Sequence, residues 1–113
     1  MASKQDLKDI IRYTCGDVVA ECVCAKFYID GIDQDKVDDI ICKVAIAQAR
    51  NIGKVSVCFD KTPKSFDGDL KAYRKARNAF FRSCYTQLLK DFNNEITQIL
   101  HEMNLLLPGK DAQ

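Results

Sequence analysis

The stretch that decides the fold is Cys15-Gly-Asp-Val-Val-Ala-Glu-Cys-Val-Cys-Ala-Lys-Phe-Tyr-Ile29, which predicts a helix that is apolar on most of its circumference. Because successive residues of a helix are rotated by about 100°, one side of this helix carries an apolar residue at every third or fourth position. The residues of this side are Leu7, Ile11, Cys15, Val18, Cys22, Ala25 and Ile29. Such a stripe is typical of the side of a helix that packs into a protein core.

The same helix has a second apolar face. It consists of Gly16, Val19, Ala20, Val23 and Phe27. A helix with two apolar faces is either central in its domain or contacts another chain with its second face. A glycine inside a helix costs about 1 kcal/mol relative to alanine, so Gly16 is either tolerated there or needed for the close approach of another backbone. We expect the second face to be an interface.

Capping signals predict two antiparallel helices over residues 4–30 and 33–52. Ser3 and Asp6 resemble a capping box, and Gly31 supplies a left-handed residue that ends the first helix. Asp33 is the expected N-cap of the second helix. The predicted core stripe of the second helix is Val37, Ile40, Ile41, Val44, Ala45 and Ile52.

A third, long helix is predicted over residues 69–107, either continuous or bent at Asn93–Asn94. Between it and the second helix, residues 55–59 alternate like a strand, but no other segment of the sequence offers a partner strand. We therefore expect an extended segment laid across the helices. The predicted fold is all-α, a bundle of three to four helices in a single domain over residues 1–113.

Composition and motifs narrow the function classes. With 47% hydrophobic and 29% charged residues, the chain has the composition of an ordinary soluble protein. The polar N-terminus lacks the apolar core of a signal peptide, and the apolar stretch is too short and too charged to span a bilayer. We expect a cytoplasmic location without membrane contact. The sequence contains no catalytic, metal or cofactor motif, so an enzyme is not expected.

The six cysteines are not spaced as metal ligands. Cys22 and Cys24 point about 200° apart on a helix, so they cannot share a metal ion. A cytoplasmic location also disfavours disulfides. We expect the cysteines to act as small buried hydrophobic residues.

Arg77 lies on the predicted apolar face of the long helix, where a buried arginine needs an acidic partner. Asp17 and Glu21 interrupt the apolar surface of the first helix. A buried ion pair of Arg77 with Glu21 is therefore predicted.

Positive charge is concentrated in residues 54–90, which carry nine Lys or Arg against three Asp or Glu. Part of this charge forms a stripe on the long helix, and part precedes it in the loop. The basic residues concerned are Lys61, Lys64, Lys71, Arg74, Lys75 and Arg82. Such a stripe suits a helix lying along phosphates, and it equally resembles a solvated helix face.

These patterns favour a small non-catalytic helical protein that acts through protein–protein association, first of all with itself as a homodimer or larger homo-oligomer. No other protein partner can be named from the residues. The alternative is a nucleic-acid-binding protein that uses the basic stripe of the long helix.

Overall fold

The computed structural model describes residues 3–108 and contains three α-helices. These are α1 (Lys4–Tyr28), α2 (Gln34–Lys54) and α3 (Leu70–Asn104), with a short 3₁₀ helix, Pro63–Phe66, before α3. Within the described residues there is no strand. The prediction of an all-α fold is therefore confirmed. The third helix passes through Asn93–Asn94 without a break.

Each α-helix begins at a polar residue whose side chain accepts a backbone hydrogen bond. Ser3 and Asp6 cap α1 reciprocally, which confirms the predicted capping box. The carboxylates of Asp33 and Asp69 accept the first free N–H groups of α2 and α3. Gly31, with φ of +83°, turns the chain between α1 and α2.

The three helices run up, down and up, so that α1 and α3 are parallel. An ion pair between Lys26 and Asp38 at 2.7 Å joins the end of α1 to the start of α2. Lys43 of α2 reaches Glu102 near the end of α3, also at 2.7 Å. The apolar residues between these pairs form one core cluster. Its fully buried members include Leu7, Ile11, Cys15, Cys22, Val37, Val44, Val55 and Phe92.

The predicted core stripe of α2 is wrong at one position. Ala45 is exposed, whereas Ala47 and Asn51, which were not predicted, are buried. Ile41 and Ile52 pack half-buried against the core. The reason is that α2 packs against α1 and α3 at once. The buried side of α2 is therefore the side that points between α1 and α3, and this is not the side that carries the most large aliphatic residues.

Residues 56–62, which follow α2, form neither helix nor strand, and we call them the extended segment. Val55, which was predicted to belong to this segment, instead ends α2 in a helical conformation. Val55 is buried, and Val57 and Phe59 pack half-buried against the core. The Phe59 ring lies 5.3 Å from that of Phe80 and 5.8 Å from that of Tyr73, so the segment runs along the first turns of α3.

The molecule is elongated because α3 is longer than the helices that cover it. At 1.5 Å per residue, α3 is about 52 Å long, whereas α1 and α2 are about 38 and 31 Å long. The ammonium of Lys4 lies over the Phe81 ring, so α1 begins at the level of Phe81. Residues 70–80 extend beyond it and pack against the 55–69 segment. We call residues 55–80 the arm.

The overall dimensions reflect this projection. The molecule measures 66 × 24 × 18 Å, with a radius of gyration of 19.4 Å. A compact chain of this length would have a radius of about 13 Å. The arm is therefore a real extension of the bundle.

Phe92 is fully buried, so its replacement by alanine should leave a cavity in the core. We expect Phe92→Ala to lower the free energy of unfolding by about 3–5 kcal/mol. The control is Tyr13→Ala, because Tyr13 is 72% exposed, and a change within about 0.5 kcal/mol is expected. Urea unfolding measures both, and equal losses would contradict the assigned core.

Candidate interaction surfaces

Four of the five residues predicted to form an interface lie on the exposed side of α1, and the fifth, Val19, packs against the edge of the core. Phe27 is strongly exposed, Val23 is 38% exposed, and Val19 is half-buried. A Cβ atom added at Gly16 would meet nothing within 4 Å. Gly16 is therefore not needed for packing within the described chain, and this side of α1 is left uncovered by it.

Helix α2 widens this apolar surface. Because Lys26 pairs with Asp38, the antiparallel register brings Val23 to the level of Ile41 and Val19 to the level of Ala45. We call the combined surface the hairpin face. It consists of Gly16, Val19, Ala20, Val23, Phe27, Ile41, Ala45 and Ala49.

The charged side chains in the middle of α2 point away from the hairpin face. Lys43 is drawn toward α3 by Glu102, and Arg50 is drawn toward α3 by Glu95. Lys43 and Arg50 are the two charged residues that α2 contains between residues 40 and 53. The side of α2 that adjoins the outer side of α1 is therefore uncharged over about three turns.

The buried ion pair of Arg77 with Glu21 is a wrong prediction. Arg77 is exposed and its guanidinium lies over the Phe81 ring at 5.3 Å. Glu21 instead lines an open groove between α1 and α3, together with Leu100. Leu100 is 23 residues further along α3 than Arg77, which corresponds to about 34 Å. The predicted pairing fails because α1 begins only at the level of Phe81, leaving Arg77 outside the bundle.

The basic residues are all exposed, and they are concentrated on the arm. Lys71, Arg74, Lys75 and Arg82 project from one side of the first turns of α3. Lys61 and Lys64 belong to the adjoining segment. The structure therefore places the predicted basic stripe at one end of an elongated molecule.

A polar cluster at the α2–α3 contact was missed by sequence reasoning. The buried amide of Asn51 donates one hydrogen bond to the Ala47 carbonyl at 2.7 Å and another to the Glu95 carboxylate at 2.9 Å. Arg50 pairs with the same carboxylate. The sequence did contain a signal for the burial of Asn51. This residue follows Val37 and Val44 at a spacing of seven residues, which places it on the same buried arc of the helix.

Only two of the six cysteines match the expectation of buried hydrophobic residues. Cys15 and Cys22 are fully buried, and burial raises the pKa of both thiols. The Glu21 charge adds to the raised pKa of Cys22. Three others are exposed because they lie on the outer sides of helices or on the extended segment. These are Cys24, Cys42 and Cys58.

Among residues 3–108, no three His, Cys, Asp or Glu side chains converge as metal ligands would. No helix in that range combines the length and the apolar character needed to cross a membrane.

Known proteins offer no relative for comparison. No protein-family model, curated protein or solved structure matches this chain. Evidence about function therefore comes from the two surfaces that the fold leaves uncovered, which are the hairpin face and the basic side of the arm.

The Asn51–Glu95 contact should be measurable as an energetic coupling. We expect a double-mutant cycle with Asn51→Ala and Glu95→Ala to give about 0.5–3 kcal/mol of interaction energy. The comparison cycle uses Arg77→Ala and Glu21→Ala, which should add within about 0.5 kcal/mol because those side chains do not meet. Urea unfolding supplies both values, and the opposite pattern would contradict the assigned packing.

Thiol reactivity should separate the cysteines into classes. In the native protein near pH 8, a thiol reagent should modify the three exposed cysteines quickly, while Cys15 and Cys22 stay protected until urea unfolds the chain. Half-buried Cys84 should react at an intermediate rate. Mass spectrometry of the modified peptides reports each site, and rapid native modification of Cys15 would contradict its burial.

Proposed function

We propose that the protein is a non-catalytic helical protein that works through protein–protein association, beginning with the pairing of two copies through the hairpin face. The observation that supports this proposal is an apolar surface two helices wide, without a charged residue at its centre, that the described chain leaves uncovered. Soluble monomers rarely expose large contiguous apolar patches, and such patches often mark sites of protein–protein interaction.

The hairpin face is of a size that suits a small dimer interface. From Gly16 to Phe27 the face spans about 17 Å of α1, and two packed helices about 10 Å apart give a width near 20 Å. The flat projection is thus on the order of 340 Å². The accessible surface of ridged helices exceeds their projection, which places the face at the low end of the areas that specific interfaces bury per partner.

The distribution of side chains also supports pairing. The centre of the face is apolar, whereas Asp17 and the Lys26–Asp38 pair lie at its edges. An apolar centre with a polar rim is the usual anatomy of a protein interface. Gly16 and Ala20 lie one turn apart, so their small side chains allow a second helix to approach closely.

A two-fold axis through the hairpin face is the simplest geometry, because both copies then use the same residues. The α1–α2 hairpins of the two copies would then pack face to face as four helices, with each α3 on the outside. Burial of the exposed part of Phe27 would supply about 1–2 kcal/mol, and burial of the smaller exposed part of Val23 about 0.5–1 kcal/mol, before the entropy cost of association.

We also propose that the protein resides in the cytoplasm. All six cysteines are free, which suits a reducing compartment.

Introducing a charge into the hairpin face should abolish pairing. We expect the native protein to scatter light as a dimer of twice 12.8 kDa. Ala20→Arg should convert it to a monomer, because an unpaired guanidinium would be buried in the contact. The control is Ala79→Arg, the same substitution at an exposed position of α3 away from the hairpin, which should remain dimeric. A monomeric native protein at high concentration would refute the proposal.

A further inference from the structure

The arm exposes a side of α3 that is buried everywhere else along that helix. The buried positions Leu88, Phe92 and Ile96 define the side of α3 that faces α1 and α2. Continued toward the N-terminus of the helix, the same side presents Arg74 and Asn78. Both are exposed, because neither α1 nor α2 reaches their level.

The opposite side of the arm is held by aromatic contacts. Tyr73 packs against Phe59 and Phe66, with ring centroids 5.8 and 6.0 Å apart, and Phe80 lies 5.3 Å from Phe59. These contacts fix the extended segment against the helix. The basic side is therefore carried on a supported element and not on a free-standing helix end.

The charge of the arm region is not neutralised by its own acids. Residues 61–82 contain seven Lys or Arg against Asp67 and Asp69. The Asp69 carboxylate accepts the backbone N–H of Ala72 and is used as a helix cap. Within residues 3–108, no ion pair involves any of the seven cations. They are available to an external anion.

We propose that the arm binds the phosphate backbone of duplex nucleic acid without reading its sequence. The primary contacts are Lys71, Arg74 and Lys75 of the arm and Arg82 directly after it on α3. From Lys71 to Arg82 the helix rises about 16 Å. Each strand of a duplex carries a charge every 3.4 Å along its axis, so about five phosphates lie within that reach.

A membrane surface is the less suitable polyanion. An interfacial helix needs an apolar side that it can bury among the lipid chains. On the arm, that side is already covered, because Tyr73 and Phe80 pack against the extended segment. Leu70 is the one large apolar side chain of residues 70–80 that is strongly exposed.

This activity does not depend on the proposed dimer. The hairpin face lies on α1 and α2, whereas the basic side belongs to the part of α3 beyond them. The monomeric variant Ala20→Arg should bind nucleic acid through the same residues. Failure of dimerisation and failure of nucleic-acid binding are therefore separate results.

The test is fluorescence anisotropy with the full chain and a labelled DNA duplex of about 20 base pairs. With about four phosphate contacts, affinity should fall about 150-fold between 50 and 200 mM salt. Arg74→Glu with Lys75→Glu should weaken binding at least tenfold at the lower salt concentration. The matched control is Lys36→Glu with Lys90→Glu, an equal change in net charge at exposed positions off the arm, which should retain binding.

Three results would overturn the proposal. One is the absence of binding at 50 mM salt by a folded protein, as judged from its circular dichroism. Another is an equal loss of affinity in the arm variant and in the control variant, which would mean that binding depends only on the net charge of the protein. The third is binding to phosphatidylserine vesicles without binding to the duplex, which would assign the arm to a membrane surface.

Discussion

The constraint on which the structure depends is that α2 packs against α1 and α3 at the same time. Its buried arc includes Val37, Val44 and Asn51 and lies between the two neighbours. Charged pairs hold its register, with Lys26–Asp38 toward α1 and Arg50–Glu95 toward α3. Because α2 is the shortest helix, it covers only part of α3, and the rest of α3 extends past the bundle.

Asn51 shows how a polar residue is accommodated in this contact. A buried amide without partners would cost a few kcal/mol, but here it donates to a helix carbonyl and to the Glu95 carboxylate. The carboxylate is shared with Arg50 at the more exposed edge. Such an arrangement favours one alignment of α2 and α3, since a shift by one turn would take the Asn51 amide away from the Glu95 carboxylate and leave it only its bond within α2.

The two uncovered surfaces differ in chemistry because they arise from different features of the bundle. The hairpin face remains because α1 is apolar around most of its circumference, whereas its neighbours within the chain cover only one side. The basic side of the arm remains because α3 is longer than its partners, and its residues beyond the contact are charged. One surface is apolar and the other is basic, and they lie on different parts of the molecule.

The sequence by itself determined the three helices, the caps of the first two at Ser3 and Asp33, the non-helical segment after α2 and the two-sided apolar character of α1. These features depend on residues close together in the chain, through capping hydrogen bonds and helical periodicity. Only the tertiary structure decided that Asn51 is buried, that Ala45 is exposed and that Arg77 lies outside the bundle. Those outcomes depend on how far each helix reaches alongside its neighbours, and helix periodicity contains no information about that relative position.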